Sequence, residues 1–118
     1  MGIADSVTVV AEKASIADAA ATIICNKIDL KDSKKIKKTT ANQLYDETDL
    51  NDKLITVSVK KLTEQEITKA ILSGKTIADY YISKNIIKTV IINLQNNIFI
   101  LGHKFNIKFN KKVKILQI

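Results

Sequence analysis

The chain has no arginine, no proline and no tryptophan, and only one cysteine and one histidine in 118 residues. A lone Cys25 excludes an internal disulfide and fits a reducing, cytoplasmic setting. With His103 as the single imidazole, no His-based triad and no multi-histidine metal site can be assembled within the chain. All 19 basic residues are lysine. Arginine supplies most bidentate readout of bases and phosphates, so its absence argues against a sequence-specific reader of nucleic acid. Three Phe and three Tyr leave the core to Ile, Val, Leu and Ala. No apolar run approaches the roughly 20 residues of a membrane span. Asp5 and Glu12 flank the first apolar run, so the start does not read as a cleavable signal.

What is present points to a folded domain. Hydrophobic residues make up 46% and charged residues 26%, outside the range of disordered chains. The net charge of +7 is unevenly spread. Residues 1–30 carry two Lys against four acids, whereas residues 103–118 carry five Lys and no acid. That tail is the one segment whose charge alone could draw a polyanion, through salt-dependent phosphate contacts.

Asp5–Glu12, with its β-branched residues in partial alternation, reads as a strand. A helix over 15–28 follows, with Ser15 and Asp18 spaced as a capping box. Residues 31–52 are irregular, a lysine cluster (Lys34, Lys35, Lys37, Lys38) giving way to acids (Asp46, Glu47, Asp49, Asp52). Leu54–Val59 is a second strand, and Thr63 with Glu66 caps a helix over 64–84. Ile67, Ala70, Ile71, Gly74, Ala78, Tyr81 and Ile82 form its core-facing stripe. Gly74 within that stripe implies close packing, and Asn85 a left-handed stop. Residues 87–94 and 98–102 read as a hairpin around Gln95-Asn96-Asn97. The tail alternates loosely at Phe105, Ile107 and Phe109, a pattern compatible with an added edge strand.

Two constellations invite chemistry. Asp18 and Thr22 stand four residues apart on one helix face, so a carboxylate and a hydroxyl address the same point. The pair reads either as oxygen ligands for a hard cation or as a helix-start carboxylate beside a hydroxyl bonded back to a carbonyl. Asn26-Lys27-Ile28-Asp29 matches the N-K-x-D element with which GTPases read guanine. Its context is wrong for that, because it follows an alanine-rich helix instead of a buried strand. The nearest phosphate-loop candidate, Ser73-Gly74-Lys75-Thr76, has Lys69 where a glycine is needed and lies mid-helix.

Read together, several segments resemble the ApbE-like superfamily, in particular its branch of small bacterial and archaeal proteins. They are Gly2–Ala11, Ile16–Thr22, Asn26–Asp29, Thr48–Asp52, Ile55–Val59, Leu62–Gly74 and Ile86–Leu94, in that order, within residues 2–102. The better-known members are FAD:protein FMN transferases, which hold Mg²⁺ and a flavin dinucleotide. By position, the resemblance implies metal ligands at Asp18 and Thr22, with no other catalytic or cofactor-binding residue transferable.

The resemblance also implies that the chain is the C-terminal half of a larger ApbE-like fold, with 103–118 as an appended lysine-rich tail. The transferases' H-x-x-[DN]-P-x-[ST]-G loop is absent, so an FMN transferase active by itself is not expected. The expected architecture is α+β, a mixed or antiparallel sheet of about four to five strands with two helices packed on it. The functional expectation is a Mg²⁺- and FAD-facing remnant. Its rival is a non-catalytic interaction module, acting through self-association or with a separately encoded N-terminal half.

Overall fold

The structure, a computed structural model, describes residues 2–31, 33–40, 54–103 and 114–117. It is α+β, as the sequence implies. Strand β1 (Ser6–Val10) leads into helix α1 (Ala14–Lys27), and strands β2 (Ile36–Thr40) and β3 (Leu54–Val59) follow. Helix α2 (Glu64–Ser83), strands β4 (Thr89–Leu94) and β5 (Asn97–Gly102), and a last strand β6 (Lys114–Gln117) complete the order. The strands form one four-stranded sheet, β1-β4-β5-β6, and a separate two-stranded ladder, β2-β3.

β4 is an interior strand, bonded to β1 on one side and β5 on the other. Val90, Ile92 and Leu94 alternate into the core, where each is fully buried. Burial of such a side chain stabilises the fold by about 1.5–3 kcal/mol. Phe99 and Leu101 of β5 and Val7 and Val9 of β1 join them beneath the helices. The β4–β5 connection is a tight turn in which Gln95 and Asn96 both take positive φ, 48° and 65°. Two such residues match the right-handed twist of the flanking strands, as a type I′ turn requires. Asn85 (φ 58°) ends α2 in the left-handed conformation, the stop that its side chain tolerates.

α2 presents the stripe read from the sequence, with Ile67, Ala70, Ile71, Gly74 and Ala78 buried. A Cβ at Gly74 would stand 2.5 Å from Cγ1 of Ile28 and 3.4 Å from the carbonyl oxygen of Ile24. Hydrogen in place of a side chain is therefore what lets α1 and α2 meet. The capping box at Thr63 and Glu66 is complete. The Thr63 hydroxyl accepts from the Glu66 N–H at 3.2 Å, and a Glu66 carboxylate oxygen accepts from the Thr63 N–H at 2.9 Å.

Two local expectations are corrected. α1 begins at Ala14 with Lys13 as N-cap, and no side chain caps it. Ser15 lies inside the first turn, so the Ser15–Asp18 capping box does not form. β2 occupies part of the stretch read as irregular. It contains one apolar residue, Ile36, and so shows no alternation; pairing with β3 makes it a strand. The tail adds a strand at the edge of the sheet, β6, which runs parallel to β5 with Asn97 opposite Lys114. The acidic residues 46–52 and the aromatic positions 105 and 109 lie outside the described residues.

Gly74→Ala is expected to destabilise the fold by about 1–2 kcal/mol in urea unfolding. Overpacking against Ile28 outweighs the ~1 kcal/mol that alanine gains in helix propensity. A variant as stable as the parent would mean that the helices tolerate a wider crossing.

Glu66 also accepts from the Lys35 ammonium at 2.5 Å. That bond, with the donated Thr63 N–H, lowers its pKa to about 2. An unfolded glutamate titrates near 4.3. The contribution of Glu66 is therefore whole above roughly pH 4.3 and is lost as pH falls toward 2. Glu66→Gln is expected to shallow the acid limb of a stability-against-pH curve in that window. An unchanged limb would contradict the pairing.

Candidate functional site

Asp18 and Thr22 are both exposed on α1. The Thr22 hydroxyl donates to the Asp18 backbone carbonyl at 3.1 Å, the usual local bond of a mid-helix threonine. Neither side chain lines the cleft between the ladders, nor the clefts beside α2 and around Asp29. Among the described residues, no three His, Cys, Asp or Glu side chains group closely enough to hold a metal ion. No described helix is long and apolar enough to cross a membrane.

The other singled-out residues have structural partners. Asn26 and Lys27 end α1, and Asp29 follows its C-cap. One Asp29 carboxylate oxygen accepts from the Leu30 N–H at 2.9 Å, and the other pairs with Lys38 of β2. Asp29 thus ties the end of α1 to the small ladder. A register shift between Lys37 and Lys38 accompanies that pairing. Cys25 is half-buried, and burial raises its thiol pKa, as for a small core residue. His103 is held through its backbone, its N–H donating to Lys88 at 3.0 Å and its carbonyl accepting from Thr89 at 2.6 Å.

One concavity, built by segments distant in the chain, went unread in the sequence. A cleft of about 1030 Å³ opens between the two ladders, where the chain start, β3, the head of α2 and the β4–β5 turn converge. Its organiser is Gln95. The Gln95 side-chain amide donates to the Lys60 carbonyl at 2.9 Å and accepts from the Leu62 N–H at 2.8 Å. Its backbone N–H donates to an Asp5 carboxylate oxygen at 2.6 Å. On the opposite wall the Thr56 hydroxyl donates to the Gly2 carbonyl at 2.9 Å. The side-chain carbonyl oxygen of Asn93, also at the cleft, is buried with no hydrogen-bond partner. The signal in the sequence was the run Gln95-Asn96-Asn97, which periodicity marks only as a turn.

These bonds fix how the chain enters β1, and β1 ends the sheet. Its five residues pair in antiparallel register with β4, from Ser6 opposite Asn93 to Val10 opposite Thr89. Among the described residues no strand pairs with its other side. Ser6 and Thr8 are exposed there, while Val7 and Val9 pack inward.

A family model described as AbpE bacteria matches residues 1–103. The chain belongs to the AbpE bacteria family. That match corrects the resemblance to ApbE-like flavin transferases, which is not the family whose model the sequence fits. Two of the segments that carried the resemblance have local explanations. Asn26–Asp29 closes a helix, and Ile55–Val59 lies in a ladder separate from the main sheet. The resemblance had implied Mg²⁺ ligands at Asp18 and Thr22 and FAD as a cofactor with no binding residue assigned, and that implication falls with it. The AbpE bacteria match stops at the start of the lysine-rich tail. No curated protein and no solved structure matches the chain.

Gln95→Ala leaves the Leu62 N–H without its acceptor and is expected to cost about 1–2 kcal/mol. Thermal unfolding of the variant measures it. An unchanged melting temperature would show that the turn and the β3–α2 linker are not coupled through this side chain.

Proposed function

We propose that this chain is an interaction module that binds an extended segment of a partner protein along the open side of β1. The observation that carries the reading is the place and composition of that strand. Among the described residues β1 is bonded to β4 alone, and Ser6-Val7-Thr8-Val9-Val10 contains no lysine, proline or glycine. Proteins usually protect a terminal strand with charge, proline or a bulge, because its free N–H and C=O groups template pairing with any other strand. This chain has the means, with 19 lysines, and uses them elsewhere. β2 carries Lys37 and Lys38 and has a register shift at the same point.

Strand addition supplies affinity through main-chain bonds and specificity through alternate side chains. Val7 and Val9 face the core, so a partner's residues beside them would continue the apolar face beneath α1. Ser6 and Thr8 would face the partner's residues on the exposed side. Of the partners suggested by the sequence, a separately encoded chain fits this edge. The module reading requires no catalytic group.

The test uses a fluorescein-labelled peptide of alternating valine and threonine and reads anisotropy. Ser6→Lys with Thr8→Lys changes exposed side chains only, and is expected to weaken binding about tenfold or more. A peptide N-methylated at alternate residues, lacking the donors, is expected not to bind. Equal binding of the methylated peptide, or no effect of the double lysine variant, would contradict strand addition.

A further inference from the structure

A cavity of about 490 Å³ lies between the end of α1 and the flank of α2. Its wall carries three lysines from three separate stretches of chain. Lys27 stands in the last turn of α1, Lys31 beyond the helix end and Lys69 on α2. None of the three forms an ion pair with a described residue, whereas Lys35, Lys38 and Lys75 pair with Glu66, Asp29 and Asp79. The one described acid on the wall, Asp29, is already neutralised. One of its carboxylate oxygens accepts from the Leu30 N–H and the other pairs with Lys38. Of the remaining polar side chains, Ser73 donates its hydroxyl to the Lys69 carbonyl at 3.1 Å, and Asn26 adds an amide.

Like charges around one concavity repel each other, and a cleft lined by one sign concentrates its field on whatever enters. The negative end of the α1 dipole offsets only about half a charge beside Lys27. We infer that this cavity binds a small anion carrying two or more phosphate groups, held by Lys27, Lys31 and Lys69. A phosphate directs its oxygens to several sides, so ammonium groups arriving from separate segments can each reach one, as point charges. A carboxylate offers two oxygens along a single edge. One phosphate group carries about two charges near neutral pH, so three lysines match a ligand with more than one.

The same geometry accounts for the Asn26-Lys27-Ile28-Asp29 run. Because both Asp29 oxygens are engaged, the run brings the Lys27 cation to the cavity instead of a carboxylate for a base edge. No residue of β1 lines this cavity, and the inference does not rest on strand addition there.

Isothermal titration calorimetry of the full chain with inorganic tripolyphosphate, at low ionic strength, tests it. The parent is expected to bind a single equivalent, with an affinity that falls as salt is added. Lys31→Gln with Lys69→Gln is expected to weaken binding about tenfold or more. Lys61→Gln with Lys88→Gln removes the same charge outside the cavity, and is expected to weaken binding less than about twofold. All four side chains are exposed, so both pairs keep the fold. Citrate is expected to bind about tenfold more weakly than tripolyphosphate. No binding of tripolyphosphate by the parent would overturn the inference. Equal weakening by the two lysine pairs would also overturn it, by assigning the attraction to the net charge of +7. Citrate bound as tightly as tripolyphosphate would overturn the assignment to phosphate.

Discussion

Ile28 fills the space that a side chain at position 74 would occupy, and most of the architecture follows from that contact. It is 0% exposed, just past the end of α1, with its Cγ1 where a Cβ on Gly74 would be. The same residue's carbonyl accepts the Ile3 N–H at 2.9 Å, so the seat that joins the helices also anchors the chain start. Gly2 beside it admits no side chain, because a Cβ there would lie 2.0 Å from the Cys25 carbonyl oxygen. Two glycines thus permit one isoleucine to hold α1, α2 and the entry to β1 together. The lost dispersion contacts and the cavity make such a site costly to truncate.

That anchoring sets the identity of the outer strand. Because the segment leading into β1 is fixed beneath the end of α1 and at Asp5 by Gln95, β1 reaches the sheet only alongside β4. The helices cover the face that Val7 and Val9 share with Val90 and Ile92, and among the described residues no strand pairs with the far side of β1. The place of this uncharged strand at the end of the sheet is thus a product of that packing.

Much of this was legible in the sequence, and the parts that were not share a cause. α2 was readable because Ile67, Ala70, Ile71, Gly74 and Ala78 repeat at the helical period and Thr63 and Glu66 announce its start. The hairpin was readable because Gln95 and Asn96 separate two β-branched runs. β2 was hidden because Ile-Lys-Lys-Thr-Thr has no periodicity, and its strand character comes from a partner residues away. The start of α1 was misplaced because Ser15 and Asp18 carry a local signal that the path of the chain from β1 overrides. The cleft at Gln95 was invisible for the same reason, since its bonds join positions 33 to 90 residues apart. Asp18 and Thr22 did share a helix face as the spacing required, and the hydroxyl turned back to the carbonyl of Asp18. Spacing determines which side chains are neighbours. It does not determine what they bind.

The central claim is that β1 is paired on one side and open on the other. Residue-resolved amide hydrogen exchange of the free, dilute chain measures this directly. Amides of β4, bonded within the sheet, should exchange slowest, through global opening. Along β1 the amides that point toward β4 should be protected and the alternate ones should exchange close to the rate of free peptide. Uniform protection of all five β1 amides at dilution would contradict the account, since it would mean that this edge is already covered.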